Sequence, residues 1–376
     1  MIGGGFRGLG GRDERRLLRR VPWSLLAATL AVGVISIVNL ASASRVAHAP
    51  VWITQLTWLA IGFVALLLSL TVDYRRLHGL AWPFYFLVVL LLIAVDIGGA
   101  TVMGAQRWLV MGPVRLQPSE LAKLALLFVF ARYFHEEGER AQGYGVLDLW
   151  RPALIVAVPF LLILAQPDLG TATMAAAVGG TMILAAKVQW RALIKLGISG
   201  VILAVGAWFF VLHDYQKRRV FAFLDPEADM LGSGYHANQS MIAVGSGQWA
   251  GKGWGLGTQT QLSFLPEQHT DFVFSVFAEE WGFRGVIVLL GLYLAICLIG
   301  LRIAYHARER HGAFLAIGAV GFLFWHVVVN IGMVTGLLPV VGVTLPLMSY
   351  GGSSALTVLT FIGVIANVGM RGSRSG

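Results

Sequence analysis

Charged residues are scarce in this 376-residue chain. Asp, Glu, Lys and Arg make up 12% of it, against about 25% in soluble globular domains. That shortage excludes a soluble enzyme, a disordered chain and a nucleic-acid-binding module. Cysteine is almost absent. The single Cys297 can form no internal disulfide and sits in an apolar run, where it reads as a small buried hydrophobe. There is no HExxH, CxxC, Walker loop or GxSxG, no internal repeat, and no collagen-like period among the 46 glycines. The stretch Gly251-Lys252-Gly253 is too short for a phosphate loop, and His213, His236 and His269 lack the spacing of a metal site.

What the chain does have is apolar length. It is 57% hydrophobic, with a mean hydropathy of +0.74. A membrane-spanning helix needs roughly 20 apolar residues. The clearest candidates are Val21–Ala41, Val51–Val72, Leu80–Gly98, Trp190–Leu212, Gly285–Leu301 and Gly312–Val334. Leu121–Phe134, Ala153–Ala165, Thr171–Ala186 and Ser353–Met370 are weaker, which makes ten. The small residues Ala175-Ala176-Ala177-Val178-Gly179-Gly180 suit close helix approach and predict interior helices. The expected fold class is an all-α polytopic membrane protein, about ten helices in a bundle with one long extracytoplasmic loop.

The formal net charge of +9 is explained by topology rather than by a nucleic-acid partner. Arg7, Arg12, Arg15, Arg16, Arg19 and Arg20 precede the first span. Alternate loops then carry Arg75-Arg76, the set Arg132, Arg140 and Arg151, the set Lys187, Arg191 and Lys195, and the set Arg302, Arg308 and Arg310; Arg371 and Arg374 follow the last span. These are 19 of 28 basic residues. Basic loops stay in the cytoplasm, so both termini are expected inside, in the cytoplasmic (inner) membrane. The first apolar run is longer than a secretion-signal core and reads as an uncleaved anchor. The expected organisation is a basic cytoplasmic segment (residues 1–20), a ten-helix domain (21–370) with a long outer loop (213–270), and a cytoplasmic tail (371–376).

The outer loops hold the chemistry. Gly98–Pro118 carries Arg107 and Arg115, Gln166–Gly170 carries Asp168, and His213–Thr270 carries Lys217, Arg218, Arg219 and Lys252. Cations outside, against the topology bias, need counter-charge. That is supplied either by an anionic ligand such as a pyrophosphate or by lipid headgroups and the acids Asp214, Asp225, Glu227 and Asp229. Glu120 and Lys123 lie on one helical face behind the helix-start pair Pro118-Ser119. Such a pair at the mouth of a span faces a bundle interior, as a functional group or as a structural ion pair. Asp271, in Pro266-Glu267-Gln268-His269-Thr270-Asp271-Phe272, opens an apolar helix. Either it is a reactive carboxylate, or it or Thr270 merely caps the helix. Glu279 and Glu280, two turns on, are expected to avoid lipid and to pair with Arg284.

At these positions the chain resembles the SEDS (shape, elongation, division and sporulation) family of bacterial membrane proteins. The matching stretches are Gly104-Ala105-Gln106-Arg107-Trp108; Gln117-Pro118-Ser119-Glu120-Leu121-Ala122-Lys123; Gln166-Pro167-Asp168-Leu169-Gly170-Thr171; Phe223-Leu224-Asp225-Pro226; Gly234-Tyr235-His236-Ala237-Asn238-Gln239-Ser240; Leu265 to Phe272; and Ser349-Tyr350-Gly351-Gly352-Ser353-Ser354. His213 to Val220 and Gly251 to Leu262 resemble the rod-elongation branch rather than the division branch. The resemblance spans nearly the whole chain after the basic N-terminus.

This resemblance implies an inverting glycosyltransferase that polymerises lipid II, a disaccharide-peptide on undecaprenyl pyrophosphate, at the outer membrane face. It implies work beside a class B penicillin-binding protein transpeptidase and other elongation-complex membrane proteins. Asp271 falls on the family's essential aspartate and is the expected catalytic base. Arg107, Trp108, Glu120, Lys123, Asp168, Arg218, Lys252 and His269 are the expected substrate or cavity residues. One carboxylate suffices to take the proton of the attacking hydroxyl, because a pyrophosphate leaving group needs cations more than an acid. The residues point to no particular cofactor. A divalent cation, Mg or Mn, would supplement the cations, but no residue pattern reveals one. A lipid II flippase and a non-catalytic scaffold share the polytopic layout. The lack of an internal repeat and the outer-face clustering of polar residues favour chemistry over transport.

Overall fold

Each apolar run becomes a helix because backbone N–H and C=O groups in lipid must pair within their own segment. The computed structural model describes residues 20–45, 50–102, 105–111, 114–210, 233–262, 264–265 and 267–372, together with Lys217, Val220, Phe221 and Phe223. The chain runs through α1 (Trp23–Ala43), α2 (Val51–Thr71) and α3 (Tyr74–Gly98) into three strands, β1 (Ala100–Val102), β2 (Ala105–Met111) and β3 (Val114–Leu116). It continues through α4 (Pro118–Glu136), α5 (Trp150–Ala165), α6 (Leu169–Ala185) and α7 (Trp190–Phe210). Then come α8 (Ser233–Ser246), α9 (Thr258–Gln261), α10 (Val273–Tyr305), α11 (Arg310–Val334) and α12 (Gly352–Gly372). Among the described residues, eight helices are long and apolar enough to cross a membrane: α1, α2, α3, α5 with its preceding turn, α7, α10, α11 and α12. The two other expected spans are α4, which carries Glu120, Lys123, Arg132 and Glu136, and α6, of 17 residues. The protein is thus a multi-span, predominantly helical membrane protein.

Three of the four weaker spans lie inside the bundle, as their small residues predict. In α6, a side chain at Gly179 would press on Val156 and Phe130. In α12 and α11, 72% and 61% of the spanning window is buried, against none in α7, which stands at the periphery. The exception is α5, where only Pro152, Ile155, Pro159 and Ile163 are buried. Its apolar residues face lipid instead.

Two features were not expected. The loop between α3 and α4 is an antiparallel sheet, with Ala100 opposite Trp108 and Leu109 opposite Leu116. The sequence signal was limited to turn residues, Met103-Gly104 and Gly112-Pro113, on either side of the run Ala105 to Met111. The second is a break inside α10 at Gly282, whose φ of 64° and ψ of −168° lie outside the helical region. Only glycine adopts such angles readily. The carbonyls of Glu279 and Glu280 accept from the backbone N–H groups of Lys252 and Gly253, both at 3.0 Å. Phe283 and Arg284 donate to the carbonyls of Gln248 and Trp249 at 2.8 and 3.2 Å. The loop therefore replaces the helix bonds lost at the break. A short first segment from Val273 precedes the spanning segment that ends at Tyr305.

The expected basic side of the bundle is a belt of ion pairs. Arg75 meets Glu309 at 2.9 Å, Arg132 meets Glu136 at 2.9 Å, Arg140 meets Asp148 at 2.5 Å and Arg371 meets Asp73 at 3.9 Å. The polar cluster described next lies at the other end of the helices.

Candidate functional site

The loop that opens α10 is held by buried amides and hydroxyls from four directions. Asn39 of α1 donates to the Val273 carbonyl at 3.1 Å, and Gln268 donates to Ala43 at 3.1 Å. Asn330 of α11 donates to the Asp271 carbonyl at 2.9 Å and to the Val343 carbonyl at 2.6 Å. Ser349 donates to the Thr270 carbonyl at 2.6 Å, and Tyr350 N–H to that of His269 at 2.8 Å. Gln55 of α2 in turn holds the Ser349 carbonyl at 3.1 Å. Unpaired backbone groups in an apolar interior are costly, so this network fixes where Asp271 stands. The cap position of α10 is Phe272, with no side-chain cap bond, so the cap expected at Thr270 or Asp271 falls one residue later.

Asp271 is half-buried and lies against Gly342: a Cβ there would sit 3.3 Å from the Asp271 Oδ2. The same backbone segment meets α6. A Cβ on Gly170 would overlap the Val341 carbonyl oxygen and come within 3.3 Å of that of Gly342. This close approach joins Asp271 to the turn that carries Asp168. Asp168 caps α6, accepting from the Thr171 N–H at 3.1 Å and hydroxyl at 2.9 Å. Arg107 of β2 pairs with Asp168 at 3.7 Å and donates to the carbonyls of Gln166, at 3.3 Å, and Pro167. Trp108, the next residue on β2, is half-buried.

Glu120 and Lys123 form the expected pair, with Nζ 2.6 Å from Oε1. Both are buried, Lys123 at 1% exposure and Glu120 at 7%. The Lys123 ammonium also lies 3.4 Å from His326 Nε2 and 5.2 Å from the Phe322 ring. His326 Nδ1 is 3.1 Å from the Thr344 carbonyl, and the Thr344 hydroxyl is 3.1 Å from that of Ser354 on α12. The starts of α4, α6, α10 and α12 thus share one end of the bundle around residues 341–344. Helix N-termini carry positive dipole ends that favour anions.

His269 is half-buried, and burial holds its imidazole below the usual histidine range, with nearby Glu267 opposing. Lys252 sits elsewhere in the cluster's surroundings: its ammonium is 2.6 Å from the fully buried Glu279 carboxylate. Glu279 also accepts from Thr258 at 3.2 Å, Gln259 N–H at 3.1 Å and Thr260 at 3.4 Å. Glu280 accepts from Ser42 at 2.5 Å. These partners, not the expected Arg284, hold the two acids and brace the break at Gly282. Arg218 lies outside the described residues. Among the described residues no three His, Cys, Asp or Glu side chains are grouped to hold a metal ion.

Sequence reasoning overlooked Asn39, Gln55, His326 and Asn330. The signal was available, since polar side chains inside apolar spans mark bundle interiors and functional sites.

The comparisons agree with this geometry. The family model of FtsW, RodA and SpoVE, described as cell cycle protein, matches residues 19–374. The chain is 44% identical over 317 residues to the peptidoglycan glycosyltransferase MrdB of Escherichia coli K12, covering 82% of this chain and 83% of that one. It is 37% identical over 321 residues to the stage V sporulation protein E of Bacillus subtilis, covering 84% and 85%. The solved rod shape determining protein RodA of Thermus thermophilus superposes with a TM-score of 0.70 at 31% identity, covering 94% and 98%. A chain from a structure on the coordination of polymerization and crosslinking by a peptidoglycan synthase complex superposes with a TM-score of 0.79 at 34% identity, covering 93% and 97%. With the polar cluster, the helix order and these likenesses in agreement, the chain belongs to the FtsW/RodA/SpoVE family.

Proposed function

We propose that this protein is a peptidoglycan glycosyltransferase that polymerises lipid II during cell elongation, with Asp271 as the general base. A sugar hydroxyl of one chain attacks the anomeric carbon of a lipid-pyrophosphate donor. As the new C–O bond forms, Asp271 takes the hydroxyl proton. The bond from the anomeric carbon to the pyrophosphate oxygen breaks, and the electron pair leaves with the pyrophosphate. Attack from the opposite face turns an α-linked donor into a β-linked product. Lys123 has three donors, of which Glu120 and His326 engage two, and the third suits a phosphate oxygen. Arg107, fixed by Asp168 and two carbonyls, is a second cation. Such preorganised charge stabilises a developing anion without reorganising during reaction.

The observation that supports this most directly is the meeting of Asp271, Lys123-Glu120 and Arg107-Asp168 around one extended segment, residues 341–344. The MrdB relative is named for the same activity. The ion-pair belt supports cytoplasmic termini, and with them an active site at the outer face of the cytoplasmic membrane. The crosslinking complex supports a class B penicillin-binding protein as partner. The proposed organisation is a basic cytoplasmic segment (1–20), the membrane domain (21–370) with its outer loop (213–270), and a short tail.

The test is polymer formation. Parent and Asp271→Asn, each purified with the cross-linking partner, are given lipid II in detergent, and products are resolved on a gel after folding and partner binding are verified. Polymer from the parent alone is expected. Equal polymer from both removes Asp271 from the chemistry. Polymer from neither, with lipid II crossing reconstituted vesicles, favours a flippase.

A further inference from the structure

We propose that His326 is a positioning residue for this reaction: as a neutral imidazole it holds the Lys123 ammonium, and with Asn330 it fixes that cation relative to Asp271. This rests on the roles given to Asp271 and Lys123 above.

The two contacts of the ring specify its tautomer. A carbonyl oxygen only accepts, so the Nδ1 atom, 3.1 Å from the Thr344 oxygen, carries the hydrogen. The Nε2 atom then presents a lone pair to Lys123 Nζ at 3.4 Å, and an ammonium only donates. Protonated His326 would offer a donor to a donor, so the arrangement requires the neutral ring. The ring is 3% exposed and cannot swing. It lies 4.4 Å from the Phe322 ring, which stacks on Phe361 at 4.1 Å and 3°. The charged groups on it are Lys123 and, through Lys123, Glu120 from α4. Thr344 from the 341–344 segment and Ser354 from α12 are uncharged.

Asn330 lies one turn further along α11, on the same helical face. It donates to the Val343 carbonyl at 2.6 Å and to that of Asp271 at 2.9 Å. Consecutive carbonyls, Val343 and Thr344, are thus gripped by consecutive turns of one rigid helix. Each gripping side chain also reaches one reacting group: His326 the cation, Asn330 the loop of the base. The spacing between leaving-group cation and base is then set by the rise of α11 rather than by flexible loops.

The test compares His326→Gln with His326→Leu in the polymer assay with the partner present. Glutamine keeps one donor for Thr344 and one acceptor for Lys123, whereas leucine keeps neither. His326→Leu is expected to lower kcat roughly 10- to 100-fold, the range of a charge-assisted hydrogen bond, while KM for lipid II changes by less than about threefold. His326→Gln is expected to stay within about threefold of the parent in both. Melting temperature and partner binding are measured alongside. Should leucine reduce the yield of folded protein, His326→Asn replaces it, because its amide is too short to span both partners. The inference is overturned if leucine works as well as histidine, or if glutamine is as impaired as leucine while both stay folded. In either case, polymer from the parent and none from Asp271→Asn leaves the proposed function standing. A parent that makes no polymer sinks both.

Discussion

Gly170→Ala is the sharpest probe of how Asp271 is placed, because it touches no reacting group. Gly170 sits in the first turn of α6, where alanine would ordinarily help the helix by about 1 kcal/mol. Here the new Cβ would overlap the Val341 carbonyl and crowd that of Gly342 at 3.3 Å. Because non-bonded carbon contacts settle near about 3.5 Å, the 341–342 backbone must retreat by roughly 1 Å. Overpacking of this kind costs about 1–3 kcal/mol, so the net loss of stability is expected to be small, with a melting temperature lowered by a few degrees at most. Activity should respond far more. Gly342 lies against the Asp271 carboxylate, so close that a Cβ on it would sit 3.3 Å from Oδ2, and a misplacement of about 1 Å costs on the order of 100-fold in rate. The assay is lipid II polymerisation with the partner bound, read beside thermal unfolding. Gly180→Ala is the control: it lies in the same helix with open space beside it, and should keep parental activity at equal or slightly higher stability. Parental activity and melting temperature in Gly170→Ala would refute the argument that α6 positions the aspartate through the 341–342 backbone.

Two further outcomes follow from the buried groups. Lys123→Met leaves Glu120 buried without its cation and should cost about 3–5 kcal/mol of stability; adding Glu120→Gln should restore much of it while polymerisation stays absent, and a double variant as unstable as the single one would contradict the pairing. Burial depresses the His269 pKa, so the unfolded chain takes up the proton first. Its contribution to stability is full above the unfolded value of about 6.5 and is lost as pH falls below it. Melting temperature should decline on acidification in the parent and less steeply in His269→Gln; parallel slopes would refute this.

The sequence alone determined the membrane class, the run of helices and the alternation of basic loops, because lipid imposes length and charge rules that each segment obeys by itself. Its motifs were enough to bring out Asp271, Glu120-Lys123 and the Arg107-Asp168 neighbourhood, since charges at the mouths of apolar spans need a reason to be there. Packing decided the rest. Whether α5 or α6 lies inside depends on which neighbours each meets, and their similar hydropathy does not say. Gly282 is one glycine among 46, and only the loop near Lys252, folded back onto the helix, reveals it as a break. Lys252 became a brace for Glu279 for the same reason. His326 and Asn330 are distant in sequence from Lys123 and Asp271. Only the tertiary structure, by laying α11 between α4 and the start of α10, makes them partners.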